Sequence, residues 1–490
     1  MNGKSEDKTA IEIGLFQALL PIATLILLLA IAVAVFGDAT TGGPAQIALI
    51  FAGMLTACIG ARRGIAWKAL EQAAVDAISS AMVAILILLM VGALIGVWIA
   101  SGVIPTIIYY GSMILEPSIF YVASLLLCSV ISVAIGSSWT TAGTVGIALM
   151  SVAGAMGLSL EMTAGAIISG AYFGDKLSPL SDTTNLAAGL SGTELFTHIR
   201  FLLWTTVPAY LVALIFFSFA SLTVTNIVPA EQIEAMQITL TENFAVNAFL
   251  FIPLICMFLC AVRQFPPLVA IFLSICIGAI MGTFLQEGAP ESTTMLIAAG
   301  NHVQTYWLAA AIGFELDSNN ATLNELLSRG GMVSMLTTVW LIISAMFFSG
   351  MMERTGILQR LLVALLTFFK KDGHFVSGAG LTALATNVVA SDQYMSIVLT
   401  SRMYSEEFRR KGLDPKNLSR VVEDNGTVTS ALVPWNTCGA FMAGTLGVAT
   451  FAYLPFCIFN LMSPIISHIY AAVGFKISKS SGELAATSRA

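Results

Sequence analysis

The stretch that decides the fold reads Gly174-Asp-Lys-Leu-Ser-Pro-Leu-Ser-Asp-Thr-Thr-Asn185, and it interrupts an otherwise apolar segment. Pro179 cannot donate a hydrogen bond to the carbonyl of Asp175, four residues earlier, so a helix entering this stretch has to stop. Ser181 and Asp182 are residue types that favour the N-cap of a new helix. The stretch therefore predicts a spanning helix that is broken in mid-course by charged and hydroxyl side chains.

The chain around this stretch is strongly apolar. Of its 490 residues 57% are hydrophobic and 10% are charged, whereas soluble domains carry about 25% charged residues. A bilayer is crossed by about 20 apolar residues in a helix, which predicts an all-α polytopic membrane protein. The first apolar run is too long for a signal peptide, so we expect it to be retained. The clearest runs are Leu15–Phe36, Ala77–Ala100, Phe201–Ala220 and Met332–Gly350.

Basic residues predict the orientation of the chain. With a cytoplasmic N-terminus, all but two of the 22 Lys and Arg residues fall on the cytoplasmic side, because Arg329 falls outside and Lys176 lies within the membrane. Basic loops stay in the cytoplasm during insertion. We therefore expect a multi-pass protein of the inner (cytoplasmic) membrane with both termini cytoplasmic. The stretch 295–328 is expected to lie outside as an interfacial helix.

The sequence repeats itself at an offset near 255, at which Pro179 matches Pro434 and Ser137 matches Asp392. In the charge map Leu15–Phe36 runs outward while its counterpart, Val246–Ala261, runs inward, so the two repeats are predicted to have inverted topology. Inverted repeats are typical of secondary transporters. The predicted organisation is a cytoplasmic tail over 1–14, a first transmembrane repeat over 15–222, an extracytoplasmic linker over 223–245, a second repeat over 246–474 and a cytoplasmic tail over 475–490.

Each repeat is expected to contain a re-entrant hairpin and a broken transmembrane helix. The segment Cys128–Ser151 is apolar at both ends and polar around Gly136–Gly143, and the matching polar tip is Thr386–Gln393. The second helix break is Thr429–Thr437, with Pro434 as its breaker. Broken backbone is tolerated in a bilayer only where protein buries it or water reaches it. The four interruptions therefore predict a central polar site.

Carboxylates near these interruptions are the first candidates for that site. A carboxylate at the bilayer centre costs about 2.5 kcal/mol or more, so it usually marks a transport pathway. Hard cations such as Na⁺ prefer oxygen ligands. The candidate carboxylates are Asp175, Asp182, Asp392 and Asp424, with Asp182 and Asp175 as the first candidates for Na⁺. The candidate neutral ligands are Ser137, Ser138, Thr183, Asn185, Asn387, Asn425, Asn436 and Thr437.

Purely structural alternatives exist for several of these residues. Asp182 serves equally well as a helix N-cap. Asp175 is placed to pair with the adjacent Lys176, the only base predicted at the midplane. Glu423 lies near the predicted cytoplasmic end of its segment, where facing water is a sufficient explanation.

Several motifs resemble the NhaC family of sodium/proton antiporters. They are Gly170–Leu186 with Gly192–Arg200, Gly136–Thr144, Arg329–Met332 and Glu423–Thr429 with Val433–Cys438. The chain departs from the family pattern by having Asn425 in place of Ser and Ala431 in place of Pro. The resemblance, which covers residues 15 to 470, implies paired hairpins, broken helices and exchange of Na⁺ for H⁺.

The leading hypothesis is Na⁺/H⁺ exchange by competition at buried aspartates. The alternative is a carrier for organic anions of the malate/lactate kind, coupled to Na⁺ or H⁺. A remote alternative is an intramembrane aspartyl protease, although Tyr172-Phe-Gly-Asp175 lacks the GxGD signature. We expect no enzyme activity and no cofactor, because the sequence has no phosphate-binding GxxxxGK[ST] motif and no metal spacing. The expected partners are the lipid bilayer, Na⁺ and H⁺, with no nucleic acid, and a homodimer is a plausible assembly.

Overall fold

The computed structural model describes residues 13–36, 40, 42–224, 230–286, 302–368 and 372–480. In these ranges the chain is helical without a β-strand, and one antiparallel bridge joins Leu413 to Lys479. The first helices are α1 (Leu15–Phe36), α2 (Pro44–Arg62), α3 (Trp67–Ser80), α4 (Met82–Ala100), α5 (Val103–Ile114), α6 (Phe120–Ile135), α7 (Ser138–Thr141), α8 (Ile147–Ala155), α9 (Leu160–Leu177), α10 (Asp182–Ser191) and α11 (Leu195–Leu222).

The remainder of the described chain is also helical. Two π-helical segments, Ala142–Gly146 and Glu423–Thr427, lie one in each part. The later helices are α12 (Ala230–Asn243), α13 (Ile252–Val262), α14 (Pro267–Leu285), α15 (His302–Ile312), α16 (Ala321–Leu327), α17 (Leu336–Arg354), α18 (Ile357–Phe368), α19 (Asp372–Val389), α20 (Gln393–Arg410), α21 (Pro415–Val422), α22 (Thr437–Leu446), α23 (Thr450–Tyr453) and α24 (Ile458–Val473).

Among the described residues, seven helices are long and apolar enough to cross a bilayer, or up to nine if each of two sharply bent pairs counts as one span. They include the four predicted apolar runs. The run predicted over Ala77–Ala100 starts its spanning helix only at Met82, because α3 ends at Ser80. The predicted tails lie mostly outside the described residues, as do 225–229 of the predicted linker.

The two predicted breaks in the first part are confirmed as interruptions of helix. After α6, Gly136 adopts a positive φ of 77°, which glycine tolerates, and Ser137 caps α7 by accepting the Thr140 N–H at 3.2 Å. After α9, Ser181 caps α10 by accepting the Thr184 N–H at 3.3 Å. The second predicted cap, Asp182, is wrong because this residue occupies the first position of α10.

The second part is interrupted at the matching places. Ser391 has a φ of 58° and Asp392 caps α20 by accepting the Met395 N–H at 3.0 Å. Asn436 caps α22 by accepting the Cys438 N–H at 3.0 Å. Each of the four caps therefore starts a helix within the interior of the protein, as the polar stretches of sequence predict.

Gly170 and Gly174 bring the backbone of α9 into contact with α6, next to the helix break that follows α9. A Cβ at Gly174 would lie 2.5 Å from the Val133 nitrogen and closer still to the Ser132 Cβ, and a Cβ at Gly170 would overlap the Leu125 carbonyl. Such distances leave no room for a side chain. Because Gly174 precedes Asp175, this contact positions the Asp175 carboxyl against the start of α7.

The segment from α15 to the turn at Gly331 packs beside α4 through α15 and that turn. The Gly331 N–H donates to the Gly92 carbonyl at 2.7 Å, and a Cβ at Gly96 would overlap the Ala309 carbonyl. The segment therefore contacts the middle and second half of a candidate span. An interfacial helix on the outside is the prediction for 295–328, of which 295–301 lie outside the described residues.

Candidate functional site

The Asp175 carboxylate is held by three hydrogen bonds. Its Oδ2 accepts the Ser138 hydroxyl at 2.6 Å and the Ser138 N–H at 3.1 Å, and its Oδ1 accepts the Ser181 hydroxyl at 2.6 Å. Only 3% of Asp175 is exposed. The last turn of α9 thus joins the first turn of α7 and the cap of α10 through one carboxylate.

Asp175 borders a cavity of about 290 Å³ between the two parts of the chain. Half of the predicted site residues line it, namely Asp175, Asp182, Asp392, Ser137, Ser138 and Thr437. The rest of the wall is mostly apolar and includes Trp139 and Phe441, whose rings stack at 4.2 Å. None of the described residues in this lining is Lys, Arg or His. The cavity therefore carries three carboxylates without a basic residue in its wall.

Asp182 faces the cavity but is exposed, which contradicts its prediction as a buried aspartate. Its Oδ2 accepts the Tyr394 hydroxyl at 2.5 Å, and its Oδ1 accepts the Thr183 N–H at 2.8 Å. Tyr394 was not predicted as a site residue, although it directly follows the polar tip Thr386–Gln393. Asp182 is thus held at the cavity surface by a contact between the two parts of the chain.

Asp392 contributes the third carboxylate from the opposite part of the chain. Its Oδ2 accepts the Thr437 hydroxyl at 3.1 Å, while its Oδ1 caps α20. Asp182 and Asp392 both lie in the first turn or the cap of a helix, where the positive end of the helix dipole stabilises a negative charge.

The other predicted neutral ligands do not line the cavity. Asn185 donates to the carbonyls of Pro179 and Ser181, at 2.9 and 2.7 Å. Asn387 donates to the Gly426 carbonyl, and Asn436 donates to the Asn387 side-chain oxygen at 3.3 Å. The remaining amide and hydroxyl, on Asn425 and Thr183, lie outside the lining. Asn185, Asn387 and Asn436 thus donate to backbone carbonyls at the helix breaks.

Lys176 has a different partner from the one predicted. Its Nζ contacts Asp424 Oδ1 at 2.5 Å and the Ser463 hydroxyl at 2.9 Å, so the predicted pairing with Asp175 is wrong. Both charged side chains are fully buried. The Thr205 hydroxyl also donates to Asp424 Oδ1, at 2.9 Å. Asp424 therefore belongs to a separate buried ion pair.

Two further charged residues outside the cavity wall are fully buried. Glu423 is one of them, which contradicts the alternative that it simply faces water. Its Oε1 lies 3.3 Å from the Thr183 hydroxyl. Arg420, one of the basic residues counted on the cytoplasmic side, is also fully buried, and its guanidinium lies 4.4 Å from the Phe201 ring centre. Lys176 is therefore not the only buried base, although neither base lines the cavity.

The donor set around the cavity suits a small cation better than a transition metal. Within the described residues, no group of three or more His, Cys, Asp or Glu side chains is arranged to hold a metal ion. Around Asp175 the available groups are carboxylate and hydroxyl oxygens, which hard monovalent cations prefer. Ser137, Ser138 and Thr437 are the predicted hydroxyls that remain at this wall.

Comparison with known proteins gives the family context. Residues 170–475 match the Na⁺/H⁺ antiporter family. The chain is 33% identical to the Na⁺/H⁺ antiporter NhaC of Alkalihalophilus pseudofirmus, over 89% of this chain and 91% of that protein. It is 36% identical to the malate-2H⁺/Na⁺-lactate antiporter of Bacillus subtilis, over 88% and 90%. It is 34% identical to the NhaC antiporter of Bacillus subtilis, over 82% and 87%.

Proposed function

The chain belongs to the Na⁺/H⁺ antiporter family, and on this premise we propose that it exchanges Na⁺ for H⁺ across the cytoplasmic membrane, with Asp175 as the central binding group. The observation that carries the proposal is the position of this carboxylate. It borders the cavity and accepts hydrogen bonds from Ser138 and Ser181. One carboxylate oxygen can hold a proton or contact Na⁺, and competition between the two couples their movements.

The two other cavity carboxylates supply attraction for the cation. Asp182 and Asp392 face the same space as Asp175, from different parts of the chain. Ser137, Ser138 and Thr437 offer neutral oxygens at the wall, and water completes the coordination shell of Na⁺. A site of this charge concentrates cations before they reach Asp175.

The organic-anion alternative is disfavoured by the same lining. A dicarboxylate would meet three acidic side chains without a basic side chain in the described lining. The helix N-termini at Asp182 and Asp392 already carry carboxylates of the chain itself. A site for organic anions would more comfortably present an arginine, and Arg420 lies outside this wall. The antiporters to which the chain is similar also give no reason to propose a protease.

We propose two transmembrane repeats, 15–222 and 246–474, around this cavity. An offset of 255 carries Asp182–Ser191 onto Thr437–Leu446, and it carries the caps Ser137 and Ser181 onto the caps Asp392 and Asn436. An offset of 254 carries Met82–Ala100 onto Leu336–Arg354. Repetition of helix ends and caps together supports a structural repeat more strongly than the sparse sequence identities do.

Inverted topology is the form of repeat that we propose. At an offset of 254, α1 aligns with α14 and not with Val246–Ala261, the counterpart predicted from the sequence. The pair of α1 and Val246–Ala261 therefore gives no support for inverted topology. The support for inverted topology comes from α4 and α17. The charge map directs α4 outward, whereas α17 runs inward and ends at Arg354, on the cytoplasmic side where basic residues concentrate. The polar tips at Ser137 and Asp392 would then belong to re-entrant hairpins entered from opposite faces.

Further expectations follow from this topology. The N- and C-terminal tails, 1–14 and 475–490, would be cytoplasmic, and the linker 223–245 would be extracytoplasmic. The bilayer is the principal partner and a homodimer is a reasonable assembly. No cofactor is needed, because an ion gradient supplies the driving force.

The test is Na⁺ uptake by proteoliposomes with an imposed pH gradient. An acidic interior should accelerate uptake of radioactive Na⁺, and the Asp175→Asn variant should lose this acceleration. Malate in the outer solution should neither enter nor change the rate. Uptake that ignores the pH gradient, or that requires an organic anion, would overturn the proposal.

A further inference from the structure

A second carboxyl lies close to Asp175 and is absent from the cavity wall. Glu423 sits in the π-helical segment Glu423–Thr427 and is fully buried. Its Oε1 lies 3.3 Å from the Thr183 hydroxyl oxygen, and its Oε2 has no hydrogen-bond partner among the described residues. A buried carboxylate with so few donors is poorly stabilised, whereas a carboxylic acid is accommodated.

Hydroxyl groups connect this carboxyl to Asp175 without a gap. The Thr183 hydroxyl oxygen lies 3.0 Å from the Ser181 hydroxyl oxygen, and Ser181 contacts Asp175 Oδ1 at 2.6 Å. Three oxygen–oxygen contacts thus link Glu423 to Asp175 through Thr183 and Ser181. The side chains themselves complete the path, so no intervening water is required.

The number of hydrogens in the path requires one of its two carboxyls to be protonated. Three contacts need three hydrogens, and the two hydroxyls supply one each. The third hydrogen has to come from one of the two carboxyls, so the complete path contains one carboxyl proton. With Asp175 ionised, Ser181 donates to Asp175, Thr183 donates to Ser181 and Glu423 donates to Thr183.

The surroundings decide which carboxyl holds this proton. Asp175 accepts two further hydrogen bonds from Ser138, which stabilise its ionised form. Among the described residues Glu423 accepts no backbone N–H, and the hydroxyls near it are those of Thr427 and of Thr183, which belongs to the path. The charged groups near Glu423 are Asp175, Lys176 and Asp424, and the lysine is bound to Asp424. The proton therefore rests on Glu423 while Asp175 is ionised.

We propose that Glu423 is the group through which the exchanged proton reaches and leaves Asp175, along the hydroxyls of Thr183 and Ser181. This inference rests on the proposed Na⁺/H⁺ exchange at Asp175. Na⁺ uses the cavity, and the proton uses the path on the other side of the carboxylate. The two ions thus compete for Asp175 without sharing a route.

The transfer balances at every atom. When Na⁺ leaves Asp175, the O–H bond of Glu423 breaks and an O–H bond forms at Asp175 Oδ1. Thr183 and Ser181 each give one hydrogen and receive one, so both are unchanged. The negative charge moves from Asp175 to Glu423, which a hydronium ion of the aqueous phase then protonates, leaving water. Na⁺ binding drives the same steps in reverse, and Glu423 releases its proton.

Two transport modes separate this role from a structural one. Na⁺/H⁺ exchange, driven by a pH gradient, needs proton transfer to Asp175. Na⁺/Na⁺ exchange, measured with radioactive Na⁺ at equal concentrations on both sides and without a pH gradient, needs Na⁺ binding alone. Comparing both rates in the same proteoliposomes cancels differences in expression and orientation.

Thr183→Val removes the hydroxyl while keeping the shape of the side chain, and Glu423→Gln removes the proton while keeping a donor for Thr183. In both variants Na⁺/H⁺ exchange should fall about a hundredfold relative to Na⁺/Na⁺ exchange, the typical effect of losing a positioned proton carrier. Thr183→Ser restores the hydroxyl and should restore the ratio. Thr184→Val is the matched control, because this hydroxyl contacts only the Asp175 and Lys176 carbonyls.

The outcomes are distinct. A normal ratio in both Thr183→Val and Glu423→Gln would overturn the inference while leaving the proposed function in place. Loss of both transport modes in Glu423→Gln would also overturn it, since Glu423 would then be needed for Na⁺ binding or folding. Absence of both modes in the unmodified protein would overturn the proposed function itself. If Thr183→Val does not fold, the ratio in Glu423→Gln decides.

Discussion

Asp175 and Lys176 are consecutive residues in the last turn of α9 whose side chains have different partners. Asp175 contacts Ser138 and Ser181 at the cavity, while Lys176 is bound to Asp424 at 2.5 Å. One helix turn therefore carries a carboxylate that is open to exchange and an ammonium that is fixed by its own counter-ion. The lysine is not free to neutralise Asp175, so a transported cation can do so.

Replacing Asp175 should weaken Na⁺ binding more than replacing Asp182. Asp175→Asn removes the buried charge that contacts the ion, and we expect a loss of affinity of about a hundredfold or more. Asp182→Asn should lower the affinity for Na⁺ only about tenfold, because Asp182 is exposed to solvent, which screens its charge. Calorimetric titration of the purified protein with Na⁺ measures both. An equal or larger loss in Asp182→Asn would make Asp182 the principal ligand.

Lowering the pH should weaken Na⁺ binding. A proton on Asp175 has to leave before Na⁺ binds, so the apparent Kd should rise about tenfold for each pH unit below the range where Asp175 becomes protonated. At higher pH the Kd should be constant. Titrations at several values between about pH 6 and pH 9 test this. A Kd that does not change with pH is incompatible with competition at one carboxylate.

Replacements of Lys176 and Asp424, which form a buried ion pair, should have strongly non-additive effects on the free energy of unfolding. Lys176→Met or Asp424→Asn alone leaves one buried charge without its partner, at a cost of about 3–5 kcal/mol. The double variant removes both charges and should recover most of that loss. Thermal unfolding in detergent, monitored for all four proteins, gives the coupling energy. Additive losses would mean that the two side chains are stabilised independently.

Gly174→Ala should prevent tight packing of α6 on α9. The added methyl group would lie 2.5 Å from the Val133 nitrogen, and such overpacking costs about 1–3 kcal/mol. Gly189→Ala is the matched control, since nothing lies within 4 Å of its added Cβ. Monodispersity and melting temperature in detergent compare the two. A Gly174→Ala protein as stable as Gly189→Ala would contradict the contact.

Single cysteines should label from opposite sides of the membrane. Glu234 lies in the acidic stretch assigned outside, and Glu406 lies in the basic stretch assigned inside; both are exposed. In a background without the seven native cysteines, Glu234→Cys should react with an impermeant thiol reagent in intact cells. Glu406→Cys should react only in inside-out vesicles. Reaction of both from one side would refute the charge map.

The breaks and caps were predictable from sequence because their signals are local. Pro179 and Pro434 stop helices, and serine or asparagine starts them, whatever surrounds the chain. Polar residues within apolar runs also located the cavity wall at Asp175 and Asp392.

Pairings between distant segments had no comparable signal. Lys176 follows Asp175 in sequence, but successive side chains of a helix point about 100° apart, and its partner lies 248 positions away. Glu423 follows a basic stretch that resembles a solvent-exposed loop. Its burial depends on how the Glu423–Thr427 segment packs against α10 and its neighbours, which charge counting does not reveal.

The close contact at Gly170 and Gly174 has a mechanical consequence. Two helices whose backbones touch cannot slide past one another, because Ser132 and Leu125 of α6 would clash with the side chains that flank the glycines of α9. For the proposed exchange, we therefore expect the cavity to open to alternate sides without sliding between α6 and α9. Asp175 and Ser138, joined by a hydrogen bond of 2.6 Å, should then move as one unit, while the segments that face them across the cavity change position.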